Sequence, residues 1–181
     1  MKPIRLATIL LSLFILSSCA EKLDFNQIDN FVLKPVLTAP LTNFTLVPGQ
    51  FFNVMGTQEN RVEDITNFEV FDEKLIRDNV VKIDFIAEIK NDFDREVTID
   101  VDFLDENNNL VYNFTPIQVA SKDLNYRYSE EIEIASNPSI KNTFKVKIVA
   151  ELENTGTQIN PNSLEEFEFK SAVTVYIESE I

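Results

Sequence analysis

The stretch VKIDFIAEIKNDFDREVTIDVDFLDENNNLVYNF, residues 81–114, decides the fold. Val81, Ile83, Phe85, Ala87 and Ile89 alternate with Lys82, Asp84, Ile86, Glu88 and Lys90. After the polar turn 91–95 the same period returns in Val97, Ile99, Val101 and Phe103, with Thr98, Asp100, Asp102 and Leu104 between them. A second polar turn, 105–109, precedes Leu110, Tyr112 and Phe114. A period of two places one set of side chains on each face of a strand. Connections this short favour antiparallel pairing.

Outward from this stretch the pattern continues. Tyr126, Tyr128, Ile132 and Ile134 share one strand. Phe144, Val146, Ile148, Ala150 and Leu152 alternate with Lys145, Lys147 and Glu151. Phe167, Phe169, Val173, Val175 and Ile177 form the last strand. On the N-terminal side, Thr42, Phe44 and Leu46 fit the inner face of a short strand, near Pro35, Pro40 and Pro48, which restrict pairing because proline cannot donate to a ladder. Residues 66–77 are ambiguous: Phe68, Phe71 and Leu75 have helical spacing and Thr66 could cap a short helix, or the segment is a packed loop. About seven one-sided strands imply an all-β fold, an antiparallel Ig-like β-sandwich in architecture only, because paired cysteines and a core Trp are missing. A small β-barrel is the alternative.

The N-terminus carries an address. Lys2 and Arg5 precede an apolar run from Leu6 to Leu16, interrupted only by Thr8 and Ser12. That run is too short to cross ~30 Å of hydrocarbon as a helix, and it reads as a removable export signal. Its end, Leu16-Ser17-Ser18-Cys19, resembles the bacterial lipobox, which implies diacylglycerol on the Cys19 thiol and cleavage before that residue. Cys19 is the only cysteine, and acylation accounts for an otherwise odd exported thiol. The expected organisation is a signal peptide over 1–18, lipidated Cys19 and a tether over 19–40, and one β-sandwich domain over 41–181. The span 85–114 looks like the central hairpins of Ig-like domains in exported bacterial lipoproteins. The whole chain, rich in Asn, Phe and acid behind a lipobox, resembles lipoproteins of the Bacteroidota, flavobacterial ones in particular. That resemblance implies an outer-membrane location, on the periplasmic or the surface face, and no specific activity.

Composition limits the chemistry. The chain has 16 Lys and Arg against 30 Asp and Glu; Lys2 and Arg5 leave with the signal, so the chain from Cys19 onward carries a formal charge of −16. Such a surface repels phosphate backbones and anionic headgroups, so nucleic acid is not an expected partner and membrane contact falls to the acyl chains. Histidine is absent, which excludes Ser-His and Cys-His nucleophile pairs and the histidine zinc sets. Three glycines make no phosphate loop. Paired carboxylates leave a glycoside hydrolase open. Asp100, Asp102, Asp105, Glu106, Asn107 and Asn109 are the densest oxygen cluster, but they lack EF-hand spacing and read more simply as a strand face and a turn. The loops 49–65 and 153–165 are candidate contact loops. The expected function is a non-enzymatic interaction or structural module of the cell envelope, without a cofactor, with a possible envelope protein partner. The alternative is a carbohydrate-active or calcium-dependent surface protein.

Overall fold

The computed structural model describes residues 32–180. The expected signal peptide, Cys19 and most of the tether therefore lie outside the described residues. Nine strands build the body over 33–179: β1 (Val36–Leu46), β2 (Arg61–Asn67), β3 (Val80–Asn91), β4 (Val97–Leu104), β5 (Leu110–Asn113), β6 (Ile117–Val119), β7 (Tyr126–Glu133), β8 (Lys145–Leu152) and β9 (Phe167–Ile177). One short helix, α1 (Lys74–Asn79), precedes β3.

The strands form two antiparallel sheets. One runs β1-β9-β3-β7, the other β2-β8-β4-β5, with β6 also on β4. β5 pairs with Asp102–Leu104 and β6 with Val97–Ile99, so together they are one edge strand interrupted near Pro116, which has no N–H to give. Counted so, eight strands alternate between the sheets in all but one connection. This order is that of a jelly roll, a double-sheet solution to the edge problem. The β-sandwich expected from the alternation is present. Its connectivity differs from an immunoglobulin domain, and the two sheets do not close into a barrel.

The inner faces meet in one core. Ile83, Phe85, Ala87 and Ile89 of β3 face Val97, Ile99, Val101 and Phe103 of β4, all buried. Phe85 packs on Phe114 of the other sheet with ring centroids 4.7 Å apart, and Phe114 meets Phe103 edge-on at 4.8 Å. Each such pair adds about 0.5–1.5 kcal/mol beyond its buried area.

Where the alternation misled, irregular pairing is the cause. Val81 is exposed and Val80 is buried, because the register slips between Tyr176 and Ile177, so Ile177 opposes Val80 while Tyr176 opposes Lys82. Leu110 is exposed because a slip between Phe103 and Leu104 leaves Val111 unopposed. Phe144 precedes β8 and is partly exposed, its backbone tied to Leu104 and Phe68. The segment 66–77, read as a short helix or a packed loop, is divided between the two. Thr66 lies in β2 and caps nothing; Phe68 and Phe71 are core residues around a 3-10 turn (Glu69–Phe71); Leu75 sits exposed on α1. β1 begins at Val36, inside the stretch read as tether. Pro40 is accommodated there because β1 is an edge strand and the register shifts beside it, between Ser171 and Ala172.

Candidate functional site

Antiparallel pairing sends the connections to two ends. One end gathers residues 47–60, 92–96, 120–125 and 153–166. The other gathers 68–79, 105–109 and 134–144.

The first end holds both loops singled out from sequence, although residues 61–65 of the longer one belong to β2. It is tied together by buried polar groups. Asn91, fully buried, donates from Nδ2 toward the carbonyls of Arg95 (2.8 Å), Val119 (3.1 Å) and Ala120 (3.0 Å), and its Oδ1 accepts from Phe93 N–H at 3.0 Å. Arg95, 5% exposed, donates to the Thr157 carbonyl (2.8 Å) and hydroxyl (3.0 Å). A buried guanidinium needs such partners. Gln58 accepts from Ile159 N–H at 2.8 Å, joining the two loops. Asn53 Oδ1 accepts from Met55 and Thr57 N–H, which shapes a tip where Val54 and Met55 stand in solvent. Leu164 is 95% exposed on the other loop.

The oxygen cluster at 100–109 does not converge. Asp105 Oδ1 accepts from the N–H groups of Asn107 and Asn109, both at 2.8 Å, and Oδ2 accepts from Asn109 Nδ2 at 2.9 Å. Asn109 foremost holds the Asp105 carboxyl below its ordinary pKa. Asp102 pairs instead with Lys147 at 2.8 Å and accepts from Asn113 Nδ2 at 2.7 Å. The cluster is a turn and an ion pair. Among the described residues no group of three or more acidic side chains is arranged to hold a metal ion.

A cluster that sequence reasoning missed joins β5 to β7. Glu130 accepts from Tyr112 Oη at 2.7 Å, from Tyr128 Oη and from Thr115 N–H at 3.1 Å. Burial opposes ionisation of Glu130, but the hydrogen bonds from the two tyrosines and Thr115 outweigh it and hold the carboxyl below the usual range. Burial, then the bond to Glu130, pushes Tyr128 up to about 12 and Tyr112 still further. Both tyrosines thus stay protonated donors. Tyr128 and Glu130 stand two apart on β7, whereas Tyr112 comes from β5 of the other sheet, and that juxtaposition is one that alternation within a strand does not reveal.

The second end contains a hollow of about 370 Å³. Arg77 of α1, Lys141, Phe144 and the turn residues Asp105, Glu106 and Asn107 line it, with Asp72 at its side. Arg77 Nη1 donates to the Phe71 carbonyl at 3.2 Å, and Lys141 Nζ to the Asp78 carbonyl at 3.1 Å. Beside the hollow, Lys145 Nζ donates to Asn108 Oδ1 at 2.7 Å. Asp78 turns its carboxylate to Lys74, whose hydrogen bond holds it below the ordinary range, with smaller help from Arg77 and Lys141.

Among the described residues no helix is long and apolar enough to cross a membrane. No protein family and no curated protein matches the chain. Solved structures show only loose likeness. A presumed secreted protein of Parabacteroides distasonis is 16% identical, with a TM-score of 0.47 over 64% of this chain and 38% of its own. The VP2 subviral particle of infectious bursal disease virus gives 10% identity and a TM-score of 0.43, over 80% of this chain and 32% of that one. The chain thus spans about a third of the length of these structures.

Proposed function

We propose that this protein is a lipid-anchored, non-enzymatic interaction module of the bacterial cell envelope, held at the outer membrane by acyl chains on Cys19. The anchor rests on Leu16-Ser17-Ser18-Cys19 behind its apolar run. Two or three acyl chains on one cysteine hold firmly where a single chain holds marginally.

The observation that carries the interaction reading is the first end of the sandwich. Asn91 and Arg95 brace the loops 92–96, 120–125 and 153–166, and Gln58 ties loop 47–60 to the last of these, yet Val54, Met55 and Leu164 stand in water. Apolar side chains displayed on a braced loop favour contact with a partner over catalysis, because the polar groups beneath them are already bound to backbone. The test is a pull-down from envelope membranes with the lipidated protein and with a variant carrying Val54→Ser and Met55→Ser. A stable partner recovered with the first and lost with the second supports the reading. Equal recovery with both removes it.

A further inference from the structure

The distribution of cations is uneven. Ten of the described lysines and arginines lie within 4.0 Å of a carboxylate. Among the described residues, the three that have no such ion pair are Arg77, Lys141 and Lys145. Arg77 and Lys141 line the hollow at the second end, and Lys145 stands beside it, bonded to the turn that forms one wall. In a chain with a formal charge of −14, acids to neutralise them are abundant. Their partners here are instead backbone carbonyls and one amide oxygen, which leave guanidinium and ammonium protons over.

We infer that this hollow binds a small, singly charged sugar acid, a hydroxyl-bearing monocarboxylate. A carboxylate matches the planar fork of Arg77, with Lys141 adding a point charge. Asp72 and Glu106 beside them accept hydrogen bonds from hydroxyls, and with Asp105, whose oxygens are held by its own turn, they set three carboxylates against the two cations, which disfavours a second negative charge, as does the acidic molecule as a whole. A phosphate dianion is therefore a poorer fit than a carboxylate. The partly exposed Phe144 ring gives an apolar surface for the C–H face of a sugar, and Asn107 and Asn142 bring amides that both donate and accept. The volume, about 370 Å³, falls within the ~300–1,000 Å³ of small-molecule sites. The site goes beyond the envelope-module reading: it stands at the opposite end from the exposed loops and does not depend on acylation of Cys19.

The experiment is a titration of the ¹⁵N-labelled protein with glucuronate, followed by amide shifts. Glucose and inorganic phosphate are parallel probes. Saturable millimolar shifts confined to residues 71–77, 105–107 and 141–145 are expected with glucuronate. Glucose, which lacks the carboxylate, and Lys141→Gln or Arg77→Gln should each weaken binding about tenfold or more, the loss of a charge-assisted hydrogen bond. Lys170→Gln, whose cation is paired with Glu168 elsewhere, should bind as the wild type. An unchanged amide spectrum before titration shows that each variant folds, and Lys141→Gln replaces a side chain whose only bond is to one exposed carbonyl. No saturable shift, equal binding of glucose, tighter binding of phosphate, or wild-type affinity in both hollow variants would each overturn the inference.

Discussion

Replacing Asn91 by Ala tests how the sandwich holds its loop-bearing end. The side chain is fully buried where β3 leaves one sheet for the other. Its amide has two protons, shared among three carbonyls, and its Oδ1 accepts one backbone N–H. At most three full hydrogen bonds are thus lost together. At about 1 kcal/mol each the loss is about 3 kcal/mol, and the stranded buried carbonyls and N–H can only add to it. In a domain of this size 1 kcal/mol lowers Tm by about 2–4 °C, so a fall of about 6–12 °C is expected. Urea unfolding of both proteins measures it, with an unchanged m-value showing that the same surface is exposed. Asn91→Asp sharpens the test. It has nearly the same shape, but its carboxylate would face the same three carbonyls, which raises its folded-state pKa. Its deficit should therefore be largest at neutral pH and shrink as the pH falls through that raised pKa. A loss below about 1 kcal/mol for Asn91→Ala would mean that water or a shifted backbone replaces those bonds, and the bracing argument would fail.

Glu130→Gln should destabilise by about 1 kcal/mol at neutral pH, since a charged acceptor of three hydrogen bonds becomes neutral. Because the folded-state pKa of Glu130 is depressed, its contribution is present above the ordinary glutamate pKa and disappears as the pH falls through the folded value; urea curves at neutral and acid pH check the sign. In the same variant Tyr128 should ionise at lower pH than the value of about 12 in the native protein, as followed by ultraviolet titration; an unmoved titration would contradict its bond to Glu130. Gly56→Ala should cost about 1 kcal/mol through backbone strain alone, because Gly56 has a φ of +75° with open space around it; a neutral result in thermal unfolding would show that the tip relaxes freely. Cys19→Ser should move the protein from the membrane pellet to the soluble fraction or leave an uncleaved precursor, and mass spectrometry of the wild type should find an acylated N-terminal Cys19. An unmodified Cys19 in a soluble mature chain would end the anchor proposal.

The layering of this protein was legible in residues 81–114 and their repeats, because a half-buried strand must alternate and the alternation survives wherever pairing is regular. The core residues Ile83, Phe85, Val97, Val101, Phe103 and Phe114 follow from it directly. Val81 and Leu110 did not, because a bulge shifts the face by one residue and is decided by the neighbouring strand. Strand order was equally hidden. Alternation states which side of a strand is buried, not which strand lies beside it, so a jelly roll and an immunoglobulin sandwich look alike in sequence. The acid-rich turn at 105–109 was legible as a turn, since Asp and Asn satisfy their own backbone locally. The meeting of Tyr112 with Glu130 and the gathering of Arg77, Lys141 and Lys145 at the second end were not, because their members come from separate elements. Only the packing of two sheets and their end loops brings such charges and hydroxyls together, and only there does it emerge which cations make no direct ion pair.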